Sequence, residues 1–225
     1  MLPVKSTRSR RMWLVRRIVI SGYLVGLCVL IWAYRPTPSG GARPERIKWI
    51  VEKTSTMSIA GSTNINKFCC QVTEYAGPDT LMTVREGAKA TGVSLQGLLR
   101  IDIKDFDCRN RIMTSEFKHT LKYQQYPQLI IHFLSLDRLP SAGQDNEAVK
   151  GWVEVELAGA CKKFEISYTS CKSGGSDFEL IGVRTFGFSD FGLRAPRKMG
   201  GLVRVNDQLD VQFRLRLRQI YEPRF

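Results

Sequence analysis

The chain has 225 residues, with 34 lysines and arginines against 21 acids and a formal net charge of +13. That excess would suggest nucleic acid, but seven of the basic residues fall in the first 35 positions, where no acid occurs. The remainder holds 27 bases against 21 acids with no long run of like charge, which argues against a nucleic-acid arm. The roughly 180 residues beyond that region suffice for one well-cored domain but not for two.

Lys5, Arg8, Arg10, Arg11, Arg16 and Arg17 form a basic flank over residues 1–17, and residues 18–34, from Ile18 to Tyr34, carry no charge. The positive-inside rule keeps this flank in the cytoplasm and sends everything after Arg35 across the membrane. Seventeen residues sit at the short end of the roughly 17–25 that span a bilayer, and just above the roughly 7–15 of a signal-peptide core. A transmembrane anchor and a cleaved signal therefore both stay open. Bulky Trp32 and Tyr34 favour the anchor, while Gly40 and Ala42 leave a cleavage site available. Leu27 before Cys28 argues against a lipoprotein. Residues 35–48, rich in proline and glycine over 36–44, read as a linker, and residues 49–225 as the folded domain.

Within that domain, strands are expected at 65–72, 81–85, around Leu99, Ile101 and Ile103, at 129–136, 153–157, 164–168, 178–183 and 209–217. The clearest is the last, where Leu209, Val211, Phe213, Leu215 and Leu217 alternate with Asp210, Gln212, Arg214, Arg216 and Arg218. Residues 114–124 predict a short helix with Met113, Phe117 and Leu121 on one face, Thr114 or Ser115 as its cap, and Pro127 beyond it. Turns are expected at Pro140, at Ser173 and at Asn206-Asp207. About eight strands at this spacing predict an all-β antiparallel barrel or sandwich. Alternation sends Phe68, Ile101, Ile103, Phe106, Phe133, Val153, Val155, Phe164 and Phe213 inward, joined by Phe117 from the helix. A barrel of this size is either filled by such side chains or holds one small ligand.

Five cysteines lie beyond position 35: Cys69, Cys70, Cys108, Cys161 and Cys171. In an oxidising compartment a structural disulfide is the first expectation and a metal site the second. No Cys-x-x-Cys occurs, and His119 and His132, the two histidines, are far from metal-site spacing. Neither sits in a pattern that suggests a catalytic triad. Asp102, Asp105 and Asp107 lack the loop that calcium requires. Neither an enzymatic activity, a metal nor a cofactor is expected.

The run Gly61-Ser-Thr-Asn-Ile-Asn-Lys-Phe-Cys-Cys70, the segment Ile103-Lys-Asp-Phe-Asp-Cys108 with Met113 following, the stretch from Leu121 through Tyr126-Pro127-Gln-Leu-Ile-Ile-His-Phe133, Val149-Lys-Gly151, and Phe188-Ser-Asp-Phe-Gly192 leading to Pro196 resemble the YceI-like family, in the family's order and over about residues 55–220. The cysteine-bearing pattern looks like the branch seen in Bacteroidetes-type bacteria. The resemblance implies an extended, lipocalin-like antiparallel barrel that binds a polyisoprenoid or another long amphipathic lipid without catalysis. With the N-terminal segment it implies the bacterial cell envelope, on the periplasmic side of the inner membrane, or free in the periplasm if that segment is cleaved. Two features depart from the family pattern. Asn64-Ile-Asn66 stands where many members carry a histidine, and Gly159-Ala-Cys161-Lys162 replaces a Gly-x-Thr-Lys turn.

Cys70 and Cys108, at the ends of two strands expected to be neighbours, are the pair expected to bond, with Cys69 competing for the same partner. Cys161 and Cys171 are about 33 Å apart if one unbroken strand carries both, too far to bond each other. Arg194, Arg197 and Lys198 surround a proline-stiffened turn and form either a site for a lipid head group or a solvated basic loop. Two rival functions remain: a filled barrel that binds a partner protein, and a thiol redox protein using Cys69 and Cys70. A homodimer is left open.

Overall fold

The computed structural model describes residues 45–85, 92–140, 146–174 and 177–220. The basic flank, the 18–34 segment, most of the linker and the turn after Pro140 lie outside the described residues. Twelve strands are present: β1 (Glu45–Val51), β2 (Thr56–Thr63), β3 (Lys67–Val72), β4 (Asp79–Arg85), β5 (Val93–Asp102), β6 (Phe106–Asp107), β7 (Gln128–Leu136), β8 (Glu147–Leu157), β9 (Ala160–Gly174), β10 (Asp177–Gly187), β11 (Arg197–Lys198) and β12 (Val203–Ile220). One helix, α1 (Arg111–Thr120), lies between β6 and β7. Among the described residues no helix is long and apolar enough to cross a membrane.

The registers join these pieces into eight long strands. β1 pairs with β4 and β2 with β3, so the four form two halves of one long hairpin. β5 meets β4 at Leu81↔Gly97 and β6 meets β3 at Gln71↔Asp107, in the same register, so β5 and β6 serve as one strand. The ladder continues through β7, β8, β9 and β10 to β12, which returns to β2 along its middle and to β1 at its end. The result is a closed antiparallel barrel, in which β9 and β10 diverge beyond Val183↔Ser167.

Period-two alternation sets its inner face. On β12, Leu209, Val211, Phe213, Leu215 and Leu217 are buried while Gln212, Arg214, Arg216 and Arg218 are exposed. A one-residue slip would turn each of these over, so the pattern fixes the register. Cys70 and Cys108 form a disulfide that ties the end of β3 to the chain just after β6, with both residues buried. Cys69, Cys161 and Cys171 are free, and the last two lie on the single strand β9.

Several local expectations are corrected. The strand through Leu99 and Ile101 stops at Asp102, and a 3-10 turn at Ile103–Asp105 bends the chain before Phe106. Asn110, not Thr114 or Ser115, caps α1: its Oδ1 accepts from the amides of Ile112 and Met113 at 3.0 Å. Thr114 Oγ1 instead accepts from the Cys108 amide at 3.0 Å, and the helix ends at Thr120 rather than 124. Asn206-Asp207 lies inside β12, at a register shift rather than a turn. β1 begins at Glu45, inside the stretch read as linker.

Candidate functional site

One end of the barrel encloses an apolar cavity of about 60 Å³. Eighteen apolar side chains and Gly187 line it. The wall comes from β2, β7, β8, β9, β10 and β12, represented by Ile59, Ile131, Val155, Ile166, Phe186 and Val211. Phe117 and Leu121 approach from α1 and the turn after it, and Phe106 meets Phe117 edge-on with ring centroids 5.6 Å apart.

A short 3-10 turn, Phe188–Phe191, covers the remaining side and contributes Phe188 and Phe191, both buried. Three polar contacts hold this turn. The Gly187 amide donates to Asp190 Oδ2 at 2.8 Å, the Ser189 amide to Asp207 Oδ1 at 3.0 Å, and Ser189 Oγ to Asp207 Oδ2 at 2.5 Å. Asp207 reaches the turn because it stands at the irregularity in β12, which aims its carboxylate away from regular pairing.

Of the ten residues expected to line the interior, Phe106, Phe117, Val153, Val155 and Phe213 line this cavity. Ile103 and Phe133 are buried in the core beside it, and Ile101 faces a smaller void toward the other end. Phe164 stacks edge-on against the cavity-lining Phe186 at 4.9 Å. Phe68 is half-buried and packs against the core. Sequence reasoning missed the covering turn and Leu193. The available signal was turn chemistry, a Ser-Asp pair followed by Gly192 at φ 64°.

The basic loop divides. Arg194 is exposed next to the cavity-lining Leu193, whereas Arg197 and Lys198 form β11 and pair with Arg204 and Val203. Lys198 Nζ is engaged by Glu116 Oε1 of α1 at 2.5 Å. Asn64 and Asn66 are structural. Thr63 Oγ1 donates to Asn66 Oδ1 at 2.9 Å, and Asn64 brackets β12 by donating to Leu202 O at 2.8 Å and accepting from the Arg204 amide at 2.9 Å. Cys70 is spent in the disulfide, so it forms no vicinal dithiol with Cys69. Among the described residues no three His, Cys, Asp or Glu side chains gather as a metal site.

No family model matches the sequence, and no curated protein does. Among solved structures, the fold is similar to BcnA of Burkholderia cenocepacia, at 15% identity and a TM-score of 0.52 over 72% of this chain and 94% of that one. It is also similar to a polyisoprenoid-binding domain from Saccharophagus degradans implicated in plant cell wall breakdown, at 11% identity and a TM-score of 0.51 over 75% and 97%. The chain shares its fold with these two structures. The motif order anticipated this architecture, since the closed barrel and its inserted helix coincide with the region that those short motifs span. A Campylobacter jejuni YceI protein matches at 15% identity and a TM-score of 0.44, over 56% of this chain and 73% of that one.

Proposed function

We propose that the barrel binds, without catalysis, the chain of a polyisoprenoid or another long amphipathic lipid. The carrying observation is the cavity, whose lining offers a ligand no polar side chain. A site of this kind gains affinity from burial of methylenes, at roughly 0.8 kcal/mol each, and has no means of polarising a bond. Its present volume of about 60 Å³ is small beside an engineered apolar cavity of about 150 Å³ that accepts benzene. A long chain therefore enters by displacing lining side chains. Phe188 and Phe191 sit on the short covering turn, outside the barrel ladders, so their displacement would leave the strand pairing intact.

The setting we propose is the periplasmic side of a bacterial inner membrane, with residues 18–34 as an anchor that holds the barrel near the bilayer supplying its ligand. Native mass spectrometry of the protein taken from its own membranes, followed by organic extraction, tests both points. A stoichiometric lipid on a chain of full mass is the expected result. Lipid-free protein would shift the reading to a filled barrel that binds a partner protein.

A further inference from the structure

The barrel wall is interrupted where β9 meets β10. Their pairing ends at Val183↔Ser167, although β9 continues back to Ala160 beside β8 and β10 continues to Gly187 beside β12. Two unpaired edges therefore face each other across a seam, and the seam lies beside the cavity, whose lining includes Ile166 and Phe186. Aromatic rings stop it: Phe164 stands 4.9 Å from Phe186 and 5.8 Å from Phe191.

Arg184 occupies this seam. It pairs with Val211, a cavity-lining residue, so its side chain projects on the inner face of the sheet. Its guanidinium lies 4.9 Å from the Phe164 ring centroid and 5.6 Å from that of Phe186, and it donates to Glu165 O at 2.7 Å. No carboxylate pairs with it among the described residues, and its Nε is buried with no acceptor. The other such atom among the described residues, Tyr168 Oη, is on the same wall, where Tyr168 pairs with Gly182 two residues from Arg184. An inward guanidinium presented on apolar rings, with donors unspent, is suited to an anion that brings its own oxygens.

We propose that Arg184, in the β9–β10 seam, binds the anionic head group, carboxylate or phosphate, of an amphiphile whose chain occupies the cavity. This rests on the lipid-binding reading above. Arg194 is the competing cation, exposed on the far side of the covering turn in sequence.

The test uses the full-length protein in maltoside and displacement of N-phenylnaphthylamine, a neutral apolar fluorophore. Two chain-matched pairs are compared: geranylgeranyl monophosphate with geranylgeraniol, and palmitate with hexadecanol. Wild-type protein should prefer an anionic member by about tenfold or more, as a charge-assisted bond implies. Arg184→Met, which keeps an apolar stem, should abolish that preference while leaving alcohol affinity within about twofold, and Arg194→Ala should leave it intact. If Arg184→Met loses the fluorophore as well, Arg184→Lys decides: charge without the planar fork should retain part of the preference. A preference confined to one pair supports the site and names the head group. No preference in the wild type, or a preference lost through Arg194→Ala instead, overturns the proposal and leaves lipid binding standing. Failure of the wild type to bind the fluorophore and all four compounds overturns the lipid reading itself.

Discussion

Gly182 stands directly opposite Phe213 in the β10–β12 ladder, and a Cβ on Gly182 would fall 2.3 Å from that ring. The ring fills the space where a side chain would be, and its other side meets Tyr168 edge-on at 5.7 Å. Gly182→Ala should therefore overpack the core around Phe213, which lines the cavity, at a cost of about 1–3 kcal/mol. For a domain of this size that corresponds to roughly 2–4 °C in Tm per kcal/mol. Thermal unfolding followed by circular dichroism measures it, and an unchanged Tm would mean that Phe213 swings aside freely.

The Cys70–Cys108 bond closes a separation of 38 residues. In the chain-entropy picture such a loop stabilises by about 4 kcal/mol, by limiting the unfolded chain rather than by adding a native contact. A Cys70→Ala, Cys108→Ala double variant should lose about that much in urea unfolding, with a larger m-value as the unfolded chain expands. Peptide mapping without reductant should recover Cys69, Cys161 and Cys171 alkylated. Recovery of Cys108 joined to Cys69 would contradict the structure.

Desolvation, then the nearby Glu154 and Glu156 carboxylates, push the Cys161 thiol above its ordinary range. A raised thiol pKa keeps the group protonated through neutral pH, so reactive thiolate accumulates only in alkali. Iodoacetamide labelling of Cys161 should accordingly rise late in a pH series. Replacing both glutamates by glutamine should move the rise toward lower pH without removing the desolvation part. A profile unmoved by that double change would show that the carboxylates do not act on the thiol.

Filling the cavity should separate binding from folding. Val153, fully buried, points into the cavity, and Phe133 is its cross-strand neighbour. Val153→Phe should occupy the free volume and exclude a ligand chain, at a stability cost of about 1–3 kcal/mol from the added bulk. Gln212→Phe, on the exposed face of β12, adds the same ring outside. The expected result is loss of the extractable lipid in the first variant only. Equal lipid content in both would remove the cavity from the binding path.

What the sequence made legible followed the strength of its periodic signal. β12 was readable because five apolar residues alternate with five polar ones, whereas closure into a barrel rather than a sandwich is set by the pairing of β12 with β1 and β2, which alternation does not encode. Phe106 lies inward, as expected, but beyond a break in the strand, since the three-residue 3-10 turn at Ile103–Asp105 leaves no periodic trace. The sequence reading of β10 stopped at Val183 because Arg184 is a charged residue at an inward position, and alternation has no rule for a cation facing a cavity. The covering turn at Phe188–Phe191 gives no periodic signal, since its aromatic residues are spaced by three within a four-residue element, and only its Ser189-Asp190 and Gly192 mark it as a turn. The bend in β12 at Asn206-Asp207 carried turn residues and so imitated a hairpin, while the long-range bond from Asn206 Nδ2 to Ser62 Oγ at 2.8 Å keeps it within the sheet.

Asp207 links that bend to the function proposed for the barrel. Its two carboxylate oxygens hold the Ser189 amide and hydroxyl, and Ser189 is flanked by the cavity-covering Phe188 and by Asp190, which closes the turn on the Gly187 amide. Asp207→Ala removes an exposed charge-assisted pair of bonds, worth about 1–3 kcal/mol locally, and touches no core side chain. Local opening of the turn should then become more frequent while global stability changes little, because the barrel ladders remain intact. Amide exchange at Ser189 through Phe191 should accelerate, with protection of β8 and β9 unaltered. Release of bound N-phenylnaphthylamine should quicken in the same variant if the turn gates the cavity. Faster amide exchange with an unchanged release rate would place the ligand's path elsewhere, with the β9–β10 seam as the remaining opening beside the cavity.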